Sequence, residues 1–211
     1  MTGRGEGGNG EQAGSPDGWP VSLRGVTESV VTTRGPNDRW NVAALGLHAP
    51  DKATGVVTAK TWGNTRTRRN FHRRGGGVIQ FVSDPREFVS AAMTIREEDD
   101  PVLDAAHAWV EVEVTRIDGG ERGGTRWEKW ELRPHDSTVV SKAIPTINRG
   151  FAAVIDATVA ASRLDVPAYD TDELLSRLQY FAETVEKCGG AAEKEAFDTI
   201  DEVSGWRERI E

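Results

Sequence analysis

At 211 residues, 37% hydrophobic and 28% charged, the chain has the size and composition of one globular domain with a well-filled core, or of such a domain with a small appendage. It has no run approaching eighteen apolar residues, no basic-then-apolar leader and one cysteine, Cys188; these argue for a cytoplasmic protein without a membrane span, an internal disulfide or a multi-thiolate metal site. A formal net charge of −8 argues against nucleic-acid binding over the whole surface.

Residues 1–20 are rich in glycine and almost free of apolar side chains before Trp19, so a disordered tail is expected there, with structure beginning near Val21. Val26–Thr33 is β-branched and reads as a strand; Gly35-Pro36 and Asn37-Asp38 turn the chain, and Trp40–His48 returns as the second strand of a hairpin. Thr54–Trp62 reads as a third. Thr65 is placed to cap a short helix that Gly75-Gly76-Gly77 stops, and Val78–Val82 reads as a buried strand. Asp84-Pro85-Arg86-Glu87 has the form of a helix start: a capping carboxylate, a proline at the first position, a glutamate three residues after the cap. Phe88, Val89 and Met93 are that helix's inward side chains, and Arg96–Pro101 reads as an acidic loop.

Trp109–Ile117 and the run from Thr125 to Leu132 both alternate with period two and form a hairpin across DGGERGG. Pro134–Ser137 is expected to break the chain, leaving Thr138–Ile144 as a further strand or an extended link. From Thr146 the period changes to that of helices. Ile147, Phe151, Val154, Ile155 and Val159 fall on one stripe; a second helix spans Thr171–Cys188 and a third Ala192–Ser204. The reading is an α+β chain: an antiparallel barrel body over 21–144, then a helical cap over 145–211.

Chemistry concentrates in Thr61–Asp84, where five arginines sit among threonines and asparagines in an acidic chain. Thr65, Thr67 and Asn70, with the backbone N–H groups of a helix start and a guanidinium fork, form a set suited to a nucleotide phosphate. A solvated arginine-rich helix with Thr65 as an ordinary cap is the competing reading. RNA gripped by the arginines, with Phe71 and His72 stacking, is an outside reading that the acidic remainder of the chain disfavours. His48, His72, His107 and His135 have no ligand-like spacing, so no metal is expected; His72, near the phosphate turn, is the histidine most open to a functional role. Cys188 reads as inert, and no group stands out as the acid or base of a proton transfer.

Thr32-Thr33, the run from Asn41 to Leu47, the run from Lys60 to Asn70, Ser83-Asp84-Pro85 and the run from Pro145 to Ala157, in this order, resemble the DUF447 family of archaeal proteins. That family is similar to the FMN-binding split barrels of pyridoxamine-phosphate oxidase and flavin reductases, and the resemblance covers the chain from Val21 onward. It implies a split β-barrel with a C-terminal helical cap, assembled as a homodimer with FMN at the subunit interface. It places Thr65, Thr67 and Asn70, with Arg66 or Arg68, at the FMN phosphate, and Asn41, Val42 and Ala43 at the flavin ring with Thr32 and Thr33 beside them. The tryptophans read mostly as core or interface residues, with Trp62, two residues before Asn64, also placed to pack on a flavin face. Asn148 and Arg149 would approach the flavin or its phosphate, against a plainer reading as helix-start polarity and an ion pair. Arg73 and Arg74 have no role in such a site. The activity implied is a flavin-dependent oxidoreductase; the alternatives are a deazaflavin-dependent reductase and a flavin carrier without turnover.

Overall fold

The structure, a computed structural model, describes residues 18–50, 55–142 and 144–210. The expected tail lies outside the described residues as far as position 17, as does Thr54 at the start of the expected third strand. Trp19, assigned to that tail, is instead 2% exposed in the barrel core, because an indole offers enough apolar surface to fix the residues around it.

The expected hairpin forms from β1 (Val26–Arg34) and β2 (Trp40–His48), which pair antiparallel over their whole length around the Gly35–Arg39 turn. β3 (Val57–Trp62) follows, then α1 (Arg66–Arg74), β4 (Gly76–Phe81) and α2 (Pro85–Met93). β5 (Arg96–Glu98) lies where a loop was expected; it pairs with Trp40–Val42, and Arg96 is held by Glu87 and Glu98 at 2.6 and 2.7 Å. The strands run in the order β1-β4-β6-β7-β3-β2, and the β1–β2 pairing closes them into a six-stranded antiparallel barrel with β5 appended to β2. Val110, Val112 and Val114 point inward with Leu45, Leu47, Ala59, Ile79, Trp130 and Leu132, as a two-residue period demands. α1 enters this core through Phe71, whose ring meets Trp130 edge-on at 5.2 Å.

β6 (Ala108–Arg122) and β7 (Thr125–Val139) are longer than their alternation suggested. Gly123 and Gly124, both at positive φ, make the two-residue turn between Arg122 and Thr125. The break expected at Pro134–Ser137 does not occur. A bulge absorbs the irregularity: Val112 faces Pro134, Glu111 faces Asp136, and His135 is the extra residue.

The cap consists of α3 (Arg149–Ala161), α4 (Thr171–Cys188) and α5 (Ala191–Ser204). The Asn148 side chain accepts from the N–H groups of Gly150 and Phe151 and starts α3 there, so Ile147 precedes the helix and is fully exposed. The cap core, built on Val154, Ala157, Leu178, Phe197, Ile200 and Trp206, also takes in Val89 of α2. No helix among the described residues is long and apolar enough to cross a membrane.

Candidate functional site

β2 has a gap along one edge. Among the described residues β5 pairs with it only at Trp40–Val42 and β3 only at Leu47 and His48, so the Ala43–Gly46 edge has no strand beside it. A cleft of about 910 Å³ opens there, within the size range of cofactor pockets. Asn41 through Gly46 all line it. Consecutive strand residues point to opposite faces, so a cleft lined by all of them reaches the strand along its edge. The N-terminus of α1 and Phe88, Ala91 and Ala92 of α2 form further walls; Thr158, Val159, Ser162 and Arg163, at the C-terminal end of α3, complete them.

Thr65 caps α1, accepting from the N–H of Arg68 at 3.3 Å, while Arg66 and Thr67 turn into the cleft. Thr67 is 4% exposed and lines the cleft, and its hydroxyl makes no hydrogen bond among the described residues. Its oxygen is not sealed off, since the one enclosed unpaired side-chain atom among the described residues is Nε1 of Trp206; the hydroxyl is open to the cleft and can bond a ligand there. Lys60, Arg66, Arg69 and Arg163 supply positive charge, against one acidic lining residue, Glu28. Arg66 is tied to Glu97 at 2.8 Å, whereas among the described residues the Arg69 guanidinium reaches only the carbonyl of Asn64, at 2.7 Å. Lys60 lies over the Trp127 ring at 5.1 Å and Arg163 over Tyr169 at 4.9 Å. Burial pushes the Glu28 carboxyl above the ordinary glutamate range, with Arg163 opposing. Burial, with Lys60 and Lys129, pushes His48 below the ordinary histidine range.

The cleft thus unites Asn41, Val42, Ala43, Thr65, Arg66 and Thr67 of the expected site, with Trp62 at its wall. Arg68 turns the other way, onto Glu128, with Nε–Oε2 at 2.7 Å and Nη2–Oε1 at 3.1 Å. His72 shares that carboxylate at 2.7 Å, with Arg116 at 3.4 Å. Arg68 and His72 therefore pin α1 to β7, and Glu128 is held at a pKa of about 2, chiefly by its hydrogen bond to Arg68. Asn70 is buried and donates to the carbonyl and hydroxyl of Thr33, at 3.3 and 3.1 Å. Thr32 is likewise internal, donating to the Pro101 carbonyl at 2.5 Å and accepting from Gln80 at 3.2 Å. Asn148 caps α3 and Arg149 is exposed beside it, a helix length of about 20 Å from the end that lines the cleft.

The sequence reading passed over Glu28, His48, Lys60, Arg69 and Arg163. The signal for Glu28 was available: the Gly35–Arg39 turn sets the register that puts it opposite Gly46, whose missing side chain leaves room for the carboxylate. Among the described residues no cluster of three metal-ligating side chains forms.

The family model for the N-terminal domain of a protein of unknown function (DUF447) matches residues 27–141, and a second DUF447 model matches residues 148–202. An FMN-bound DUF447 protein from Methanosarcina mazei superposes with a TM-score of 0.72 at 25% identity, over 86% of this chain and 96% of that one. Weaker likenesses are to flavoredoxin from Methanosarcina acetivorans (TM-score 0.42, 9% identity, 60% of this chain and 77% of that one) and to nitrilotriacetate monooxygenase component B from Bacillus cereus (0.43, 15%, 56% and 71%). No curated protein matches the sequence. The chain belongs to the DUF447 family.

Proposed function

We propose that the cleft binds FMN and that the protein is a flavin-dependent oxidoreductase. The observation that carries this reading is one cavity holding both the unpaired Ala43–Gly46 edge and the unpartnered Thr67 hydroxyl at the start of α1. An unpaired strand edge presents backbone N–H and C=O groups, a match for the donor and acceptor rim of a flavin's pyrimidine ring. A helix N-terminus with a free hydroxyl and the Arg66 and Arg69 guanidinium groups suits a phosphate. The FMN-bound Methanosarcina mazei relative supports the assignment.

FMN supplies a two-electron transfer at its ring; the protein supplies placement and proton control. Ala91, Ala92 and Val42 give the ring an apolar wall. Glu28, whose carboxyl burial pushes above the ordinary glutamate range, and His48, whose imidazole burial pushes below the ordinary histidine range, put two titratable groups in one cavity as candidates for proton transfer. The working unit is a homodimer: Trp62 and Ile95 on the cleft wall are 41% and 79% exposed, and a second copy would cover them.

The test is direct. The purified protein is expected to be yellow and to release FMN, identified by mass, on denaturation. Colourless protein that also fails to take up added FMN refutes the assignment. Oxidation of NADH or NADPH in the presence of the loaded protein separates an enzyme from a carrier, and light scattering reports the mass of the assembly.

A further inference from the structure

Away from the cleft, a pocket of about 230 Å³ lies where the end of β1, the end of α1 and the β6–β7 bulge meet. Arg34, Arg74, Trp40, His135 and the acidic Glu111 line it. Arg34 and Arg74 come from different elements and converge on one atom: Oδ1 of Asp38 lies 3.2 Å from Nε of Arg34 and 3.4 Å from Nη2 of Arg74. Asp38 belongs to the β1–β2 turn, is 68% exposed at its side chain, and stands at φ 62°, a left-handed conformation that side-chain-bearing residues seldom adopt. His135 is the extra residue of the bulge, and a bulge re-aims the side chain it carries. Its Nδ1 is 3.7 Å from Glu111.

Two guanidinium groups from different elements share one exposed carboxylate oxygen, in a pocket with Trp40 at its wall and Glu111, beside His135, as its acidic lining residue. We propose that Arg34 and Arg74 form an oxyanion site for the phosphate group of a small ligand, with Asp38 as the chain's own competitor for it. Two planar donor forks serve the several oxygens of a phosphate better than the single carboxylate oxygen they now share. Swinging Asp38 outward breaks only exposed ion pairs, which are weak. Trp40 and His135 both lie at the pocket wall, and the histidine serves as a reporter. The site is separate from the cleft and stands whether or not the cleft takes FMN.

The experiment titrates the full chain with inorganic phosphate at low ionic strength while following the imidazole Hε1 resonance of His135, assigned by its loss in His135→Gln. Sodium chloride at matched ionic strength is the control. Saturable movement of the His135 signal by phosphate, and not by chloride, is expected. Asp38→Asn keeps a residue tolerant of the left-handed conformation while removing the competing charge, so phosphate should bind about fivefold more tightly. Arg34→Gln and Arg74→Gln should each weaken it about tenfold or more. Thr67→Val, in the cleft, should leave the His135 response unchanged. Equal movement by chloride, an Asp38→Asn affinity no higher than wild type, or saturation surviving in both arginine variants overturns the site. Should an arginine variant fail to fold, the Asp38→Asn comparison still decides.

Discussion

Replacing Glu128 by glutamine removes the carboxylate that fixes α1, and with it the placement of Thr65 and Thr67. Glu128 is 5% exposed and receives two hydrogen bonds from Arg68 and a contact from His72. An ordinary glutamate near 4.5 and one at about 2 differ in their free energy of ionisation by about 3 kcal/mol. Because the folded-state value is depressed, the contribution is complete above pH 4.5 and is lost as the pH falls toward 2. Glu128→Gln should therefore lower the unfolding free energy at pH 7 by about 3 kcal/mol, since Arg68 is left partly buried without its counter-charge. The assay is urea unfolding of wild type and variant at pH 7, 5, 4 and 3, where contributions from other carboxylates cancel in the difference. That difference should hold steady from 7 to 5 and shrink below. A difference independent of pH throughout would refute the ion pair as the anchor of α1.

Thr67→Val should weaken FMN binding roughly tenfold to a hundredfold, the worth of one hydrogen bond to a charged group, with the melting temperature nearly unchanged because the hydroxyl has no protein partner to lose; flavin fluorescence quenching and thermal melts measure the two. Asn70→Ala should do the reverse, lowering stability by about 1–2 kcal/mol through its bonds to Thr33 while FMN affinity changes little. Glu28→Gln should abolish an inflection above pH 4.5 in the absorbance of the bound flavin; an inflection that survives the change belongs to another group. Gly150→Ala places a Cβ 2.5 Å from the Gly189 Cα, backbone against backbone, and should cost about 2 kcal/mol in chemical unfolding by wedging α3 from α4.

Elements governed by neighbours in sequence were legible without the structure. The Asp84-Pro85 start of α2, the span of α4 and the β1–β2 hairpin each follow from a cap, a stripe or a turn within a few residues. β5 was not legible, since its three charged residues become a strand only because β2 leaves an edge for them. Nor was the passage of β7 through Pro134, which a bulge opposite Glu111 and Val112 permits. The same divide runs through the site. The cap at Thr65 and the alternation of Asn41–Ala43 are local, and both lead to the cleft. Which arginine of α1 faces it depends on how the helix is rotated. Phe71 in the barrel core and Glu128, sixty residues from Arg68, decide that, and they send Arg68 and Asn70 inward. Thr32 and Thr33 sit on a strand covered on both sides, a burial that alternation alone does not reveal.

α2 has a consequence for the modularity of the chain. It falls within the first of the two family-model matches, yet Val89 lies in the helical core of the second, and Arg86 reaches Glu195 at 2.9 Å. The opposite flank of the same nine residues, at Phe88, Ala91 and Ala92, faces the cleft. The two matched segments are thus two stretches of sequence sharing one tertiary unit, and the segment 18–142 made alone would expose the apolar flank of α2 to water. Grafting a relative's C-terminal helices onto this barrel would succeed or fail on their fit to Val89 and Met93. Any tilt imposed on those helices by a partner would reach the cleft through one short, rigid lever.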